Sequence, residues 1–268
     1  QHTIDSQLIS SIDFAPTVLN LAGVDVPGHM QGRAFLGGKL GAARRYVYGA
    51  RDRMDERYDI IRMVRDSRFR YIRNYEPLKP YYQYMNTPEK GATMKEIRRL
   101  EKTGGLSGAA LLFSAGRKPV EELYDLKNDP HEVNNLAANP EHSDRLKTMR
   151  EAHYRWVRET RDIGLLPEPE IIAREKVHGA RYDILRQDGS TAVMTRLGET
   201  AALASSGPTA LQRLLTAMDD SDAAVRYWGA TGVGNIAPER NPKAMAVMHK
   251  ALGDSSASVR IAAGRALA

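Results

Sequence analysis

The spacing of apolar positions changes along the chain, and the changes mark out its elements. In DFAPTVLNLAG (13–23), Phe14, Val18, Leu21 and Ala22 recur at i, i+4, i+7 and i+8, which predicts a short helix. Asp13 is its expected N-cap, Pro16 sits in the first turn where a missing donor costs little, and Gly23 is the stop. A glycine-rich loop follows over 26–38. The period then shortens to two. RYVYG (45–49), YDIIRMVR (58–65) and RFRYIRN (68–74) predict three strands, the last two joined by a turn at Asp66-Ser67. In the third, Phe69, Tyr71 and Ile72 compete for one buried face, so its register stays open.

An aromatic, proline-marked loop spans 75–84, and MKEIRRLEKTG (94–104) predicts a helix ending at Gly104. Residues 105–120 read as a loop with a further helix. EELYDL (121–126) is a strand, broken by Asn128-Asp129-Pro130. HEVNNLA is expected to form a turn with a short helical piece. Over 141–161 the stripe of Leu146, Met149, His153, Trp156 and Val157 predicts a longer helix, and 163–170 is a linker.

After Pro169 the strand signals vanish and alanine becomes frequent. LQRLLTAMDDSDAAVRYWGATGVG (211–234) lies over MAVMHKALGDSSASVRIAAGRALA (245–268) at an offset of 34. Asp220/Asp254, Ser221/Ser255, Val225/Val259 and Arg226/Arg260 correspond, and each unit reads helix, acidic turn, helix. The Asp and Ser are expected to supply acceptors for the second helix, with the valine packed inward and the arginine reaching back to the turn. Residues 191–204 read as the last helix of an atypical preceding unit. His249, aligned with Leu215, is expected to pack.

Composition narrows the chemistry. Without cysteine the chain has no disulfide, thiolate nucleophile or cysteine-ligated metal. A net charge of +6 raises nucleic-acid binding, but the arginines are interleaved with Asp and Glu and no block of five like charges occurs, so an Arg-rich solvated surface is the simpler reading. No apolar run is long enough to span a membrane. The chain starts at Gln1 and ends inside a helical pattern, and is therefore expected to be a piece of a longer protein.

No G-x-S-x-G, H-E-x-x-H, G-x-x-x-x-G-K-[ST] or G-x-G-x-x-G motif occurs, and no two histidines lie at i+2 to i+5. His153, on the helix stripe, is a core or boundary residue. The densest polar group is Asp52, Asp55, Glu56 and Asp59 set among Arg51, Arg53 and Arg57. Two readings stand: a site where carboxylates take hydroxyls and guanidiniums take an anion, or a solvated loop between strands laced with ion pairs. Likewise the tyrosines of 75–84 could stack a sugar ring or pack beneath a proline-rich loop.

Two long segments carry a family resemblance. ISSIDFAPTVLNLAGVDVPGHMQGRAFL (9–36) resembles the D-x-x-P-T-h-L-x-h-A-G…P…G stretch of sulfatases, and EELYDLKNDPHEVNNLA (121–137) resembles their E-L-Y-D-L-x-x-D-P-x-E-x-x-N-L-A signature. RMVRDSRFRYIRN (62–74) is similar to the strand pair between them, and RDRMDERYDIIR looks nearest to arylsulfatase-like and heparan N-sulfatase-like members of this alkaline-phosphatase-like superfamily. The D-x-x-x-x-V-R core of the final repeats resembles HEAT repeats.

These resemblances imply an α+β fold: a small antiparallel sheet with covering helices, plus an all-α helical-repeat extension. Residues 1–40 would end the large α/β domain, 41–165 would form the C-terminal subdomain, and 170–268 the HEAT-like repeats. Helix 13–23, cut off from that large domain, is expected to be poorly anchored or re-docked. The parent would hydrolyse sulfate esters or sulfamates of a sugar or aryl substrate. The family's formylglycine, made within C/S-x-P-x-R, and its calcium-binding Asp/Asn set are expected upstream, and neither motif occurs here. This chain alone is therefore expected to be inactive. Arg51, Arg53, Asp55 and Glu56 are the candidate substrate-binding residues at the pocket rim, with His29 and Arg33 as weaker candidates. The rival reading is a non-catalytic scaffold with a protein partner on its repeats. Compartment stays open; the resemblance is compatible with a periplasmic or secreted protein.

Overall fold

A computed structural model describes residues 5–236 and 241–268, so the first four residues of the 1–40 segment lie outside it. Four strands form one sheet in the order β1-β2-β3-β4: β1 Val47–Met54, β2 Arg57–Arg65, β3 Phe69–Asn74 and β4 Glu121–Asp125. Consecutive strands are neighbours, and β3 and β4 run antiparallel with Tyr71 opposite Leu123. That register resolves the competition within β3. Phe69, Tyr71 and Arg73 share the buried face, and Ile72 takes the other.

The helices are α1 Phe14–Leu21, α2 Asn86–Glu89, α3 Ala92–Thr103, α4 Gly108–Phe113, α5 Ser143–Thr160, α6 Glu168–His178, α7 Ser190–Leu203, α8 Leu211–Ala217, α9 Ala223–Asn235, α10 Pro242–Ala251 and α11 Ala257–Leu267. Gly104 ends α3 in the left-handed conformation, at φ 68°, as a C-terminal glycine should. The α+β sheet and helical extension read from the sequence are both present.

The chain divides into two compact units. One takes in the chain up to Ala50, with Arg62–Arg73 and Glu121–His153. Its core sets Val64, Phe69, Tyr71 and Leu123 of the sheet against Leu146, Met149 and Ala152 of α5. His153 is buried with its ring 5.8 Å from that of Tyr71, a core residue as its place on the stripe implies. Glu121 accepts two 2.6 Å hydrogen bonds from Arg150 and one from the Tyr71 hydroxyl, which ties α5 to β4. Burial raises the Glu121 pKa, but these donors outweigh it and hold the carboxyl below its usual range.

Within this unit Asp13 holds the N-cap position of α1, as the pattern suggested, but its side chain makes no capping bond to that helix. Its carboxylate is buried and accepts from Arg44 and from the backbone N–H groups of Ser10 and Arg33. Desolvation pushes its pKa up, yet these donors bring the net shift down. Thr17 and Asn20 add hydrogen bonds to Phe35, Leu36 and Lys39, so α1 is held through its polar side rather than left poorly anchored. Its apolar stripe faces outward: Phe14, Val18 and Leu21 are 59%, 64% and 61% exposed.

HEVNNLA forms no helix. Asp129 accepts from the N–H groups of Val133 and Asn134, and Asn135 bonds Leu123 N–H, Glu121 C=O and Ala137 N–H. These side chains take the backbone groups a helical turn would need.

The other unit comprises Arg51–Ile61, Asn74–Val120 and Tyr154–Ala268. Its first core packs Ile60 and Tyr75 with Leu165, Leu185, Leu197, Val225 and Trp228. The Trp228 indole N–H donates to Leu165 C=O at 2.8 Å. A second core joins α8, α9, α10 and α11 through Leu214, Val233, Met248 and Val259.

The two repeats share their turn geometry. Arg226 Nη1 bonds the carbonyls of Asp220 and Ser221 at 2.9 and 3.0 Å, and Arg260 Nη1 bonds those of Asp254 and Ser255 at 2.7 and 3.1 Å. The helix caps are Asp222 and Ser256, two residues beyond the Asp of the motif, while Asp220 and Asp254 accept from the N–H groups of those caps. His249 is exposed; Met248 beside it makes the buried contact.

Candidate functional site

Arg51, Arg53, Asp55 and Glu56 meet at the tip of the β1–β2 hairpin, within one compact unit. Asp55 and Glu56 form the connection between the strands. Asp55 adopts φ 49°, a conformation that Asp tolerates because its short side chain bonds locally. Two residues apart on β1, Arg51 and Arg53 project to the same face.

The four are not equivalent. Arg53 Nη2 donates to Leu166 C=O at 2.6 Å, its Nε lies 2.6 Å from Glu168, and its guanidinium rests 5.3 Å from the Tyr58 ring centre. It anchors the hairpin to the start of α6. Glu56 is exposed and accepts from Asn86 N–H at 3.3 Å. Asp55 is also exposed, and Arg51 is half-buried. The tip thus carries two exposed carboxylates beside a half-buried guanidinium. His29 and Arg33 lie in the other unit, in the loop after α1. His29 is exposed, while Arg33 bonds Ala42 C=O through its guanidinium.

Beneath the tip lies a polar cluster that the sequence pattern did not reveal. Asp59 and Lys118 are fully buried and 2.6 Å apart. Asp59 also accepts from Ile60 N–H at 2.9 Å. Lys79 Nζ lies 4.2 Å from the Tyr58 ring centre, donates to Tyr58 C=O at 3.0 Å and sits 3.4 Å from Glu76. Burial pushes the Lys79 pKa down, with Glu76 opposing. The Tyr58 hydroxyl bonds Tyr227, and burial drives its pKa up. In the aromatic loop, Tyr75 is buried 6.2 Å from Trp228, Tyr82 packs 5.2 Å from Phe113 beneath Arg57, and Tyr84 is exposed. Asp59 stood out as part of an acidic group, but Lys118 is 59 residues away with no local signal to link them.

The described residues hold no group of three or more His, Asp or Glu placed for a metal ion, and the sequence contains no cysteine. The described side chains therefore do not fit a calcium ion. Among the described residues, no helix is long and apolar enough to cross a membrane.

A family model of HEAT repeats matches residues 180–268. Over 170 residues, 63% of this chain and 28% of the relative, the sequence is 45% identical to an ulvan-active sulfatase of Formosa agariphila. A second ulvan-active sulfatase of that organism is 34% identical over 164 residues, 59% of this chain and 30% of its own. The chain therefore spans less than a third of the length of these curated relatives. Two solved structures each align with 56% of this chain and 25% of theirs. One is a Bacteroides thetaiotaomicron protein assigned as a sulfatase, at 25% identity and TM-score 0.37. The other is a complex with its substrate D-glucosamine-2-N,6-O-disulfate, at 20% identity and TM-score 0.34. The sulfatase resemblance and the HEAT resemblance read from the motifs are both borne out.

Proposed function

We propose that this chain is part of a sulfatase that hydrolyses sulfate esters on a sugar polymer, and that the chain by itself lacks the catalytic machinery. The observation that carries the reading is the 45% identity to an ulvan-active sulfatase over 170 residues. The sequence supplies no Cys or S-x-P-x-R from which formylglycine could be made, so the nucleophile and its calcium belong elsewhere in the parent.

In this reading the β1–β2 tip is a rim of the substrate pocket. Arg51 meets a sulfate or another anionic group, and Asp55 and Glu56 accept sugar hydroxyls. Arg53, held by Leu166 and Glu168, fixes the angle of the hairpin. Residues 1–40 close the large domain, 41–165 make the rim, and 170–268 form the repeats.

Sulfate release from ulvan by the complete gene product tests the assignment of roles. Arg51→Ala and Glu56→Gln should raise KM by about tenfold, the worth of one charge-assisted hydrogen bond, with kcat little changed. A fall in kcat at constant KM would refute the rim role.

A further inference from the structure

A groove of about 390 Å³ opens on the repeat-bearing unit, between the last turns of α5 and the helices α7 and α8. Its size falls within the range of small-molecule sites. Tyr75, Val157, Met194 and Leu203 give it an apolar floor, and Tyr154 adds an aromatic wall. Arg158 of α5 and Arg213 of α8 contribute guanidiniums, and Glu199 of α7 a carboxylate. All three are exposed, and among the described residues none has an ion-pair partner. Elsewhere in the repeats Arg174, Arg196 and Arg226 are each taken by an aspartate, so idle guanidiniums are not the rule of this surface.

A second observation points at the same place. Gly198 lies inside α7 and lines the groove. Glycine in a helix interior is unfavourable relative to alanine, and is usually explained by a close neighbour or a positive φ. Neither applies: a Cβ built at Gly198 would meet nothing within 4 Å. The space a side chain would fill is the groove itself. A neighbouring groove of about 260 Å³ shares Glu199, Leu203 and Arg213, so the two grooves adjoin.

We infer that this groove binds an anionic saccharide, with sulfate on Arg158 and Arg213, ring faces against Tyr154 and the apolar floor, and hydroxyls donating to Glu199. Two cations and one carboxylate suit a ligand that carries both negative charge and hydroxyl donors. Guanidiniums match the oxygens of sulfate bidentately, and aromatic faces take the apolar side of a ring. The choice of sulfate over carboxylate rests on the sulfatase reading; the groove does not. The repeats would then hold the polymer while another part of the protein cleaves it, which raises the effective concentration of substrate.

Calorimetric titration of the 268-residue chain tests this, and because it needs no turnover its failure is separate from failure of the sulfatase reading. The probes are a sulfated tetrasaccharide from ulvan, its desulfated counterpart and inorganic sulfate. The sulfated tetrasaccharide should bind, and Arg158→Ala and Arg213→Ala should each weaken it about tenfold. Gly198→Leu, which leaves every charge in place and improves helix propensity, should weaken it at least as much. Circular dichroism checks that each variant is folded. Three results would overturn the inference: no binding of the sulfated tetrasaccharide, equal binding of the desulfated or inorganic probe, or unchanged affinity in Gly198→Leu. The last would mean that sulfated sugar adheres to the basic surface at large.

Discussion

The ammonium of Lys118 sits 2.6 Å from the carboxylate of Asp59, and both side chains are fully shielded from solvent. A buried pair of this kind is costly to break, because the surviving charge is left without compensation. Lys118→Met should therefore destabilise the protein by about 3–5 kcal/mol in urea unfolding. The double variant Asp59→Leu/Lys118→Met should recover most of that loss, since an apolar pair removes both desolvation penalties. A double variant as unstable as the single one would show that Asp59 matters chiefly for its other hydrogen bonds.

Arg226 makes a two-pronged contact with Asp254 of the following repeat, at 2.8 and 2.9 Å, while bonding the carbonyls of its own turn. One planar fork thus fixes a repeat internally and to its neighbour. Arg226→Lys keeps the charge but cannot make both contacts, and should cost about 1–2 kcal/mol. A double-mutant cycle with Asp254→Asn should show coupling of roughly 1 kcal/mol or more. Additive effects would contradict the account of how the repeats are joined.

Acid should weaken the sheet through Asp125. Arg68 grips its carboxylate at 3.0 and 2.6 Å and, with the backbone N–H of Lys127, lowers its pKa to about 2 from the ordinary 3.8. A depressed carboxylate pKa means that the folded state binds fewer protons than the unfolded one between those values. The stabilisation is complete above the ordinary pKa and is lost as pH falls through the folded one. The melting temperature should thus drop between about pH 4 and pH 2, and Asp125→Asn should flatten part of that slope.

The outward stripe of α1 gives a prediction that separates the chain from its parent. Val18 is 64% exposed, so Val18→Gln should alter the stability of this chain by no more than about 0.5 kcal/mol. If the rest of a sulfatase packs over that stripe, the same change in the complete gene product should cost about 1–3 kcal/mol. Equal effects in both would argue that nothing covers α1.

Gly198→Ala should stabilise α7 by about 0.5–1 kcal/mol, because alanine is the better helix residue and its methyl meets no neighbour. Thermal unfolding of the variant measures this. A destabilised variant would show that the glycine has a packing role.

Much of the fold was legible because the pattern is local. Alternation over β2 and β3, the Asp129 turn, the glycine that ends α3 and the 34-residue repeat are each written within a few neighbouring residues. The misreadings share a cause. Asp13 had the position of a cap, but its carboxylate is claimed by Arg44, 31 residues on. His249 aligned with a buried leucine, yet one step of helix turned it to solvent. HEVNNLA looked half helical until Asn135 spent its amide on β4. The hairpin tip was visible as a dense polar stretch, whereas Leu166, whose carbonyl holds Arg53, lies 113 residues away. The groove was not visible at all, since α5, α7 and α8 meet only in three dimensions.

Sulfate release from ulvan, measured in parallel for the purified 268-residue chain and for the complete gene product, tests the central claim most directly. The account predicts release by the complete product and none by the chain. Release by the chain alone, free of contaminating enzyme, would contradict it, and so would a complete product that releases no sulfate from either ulvan or an aryl sulfate.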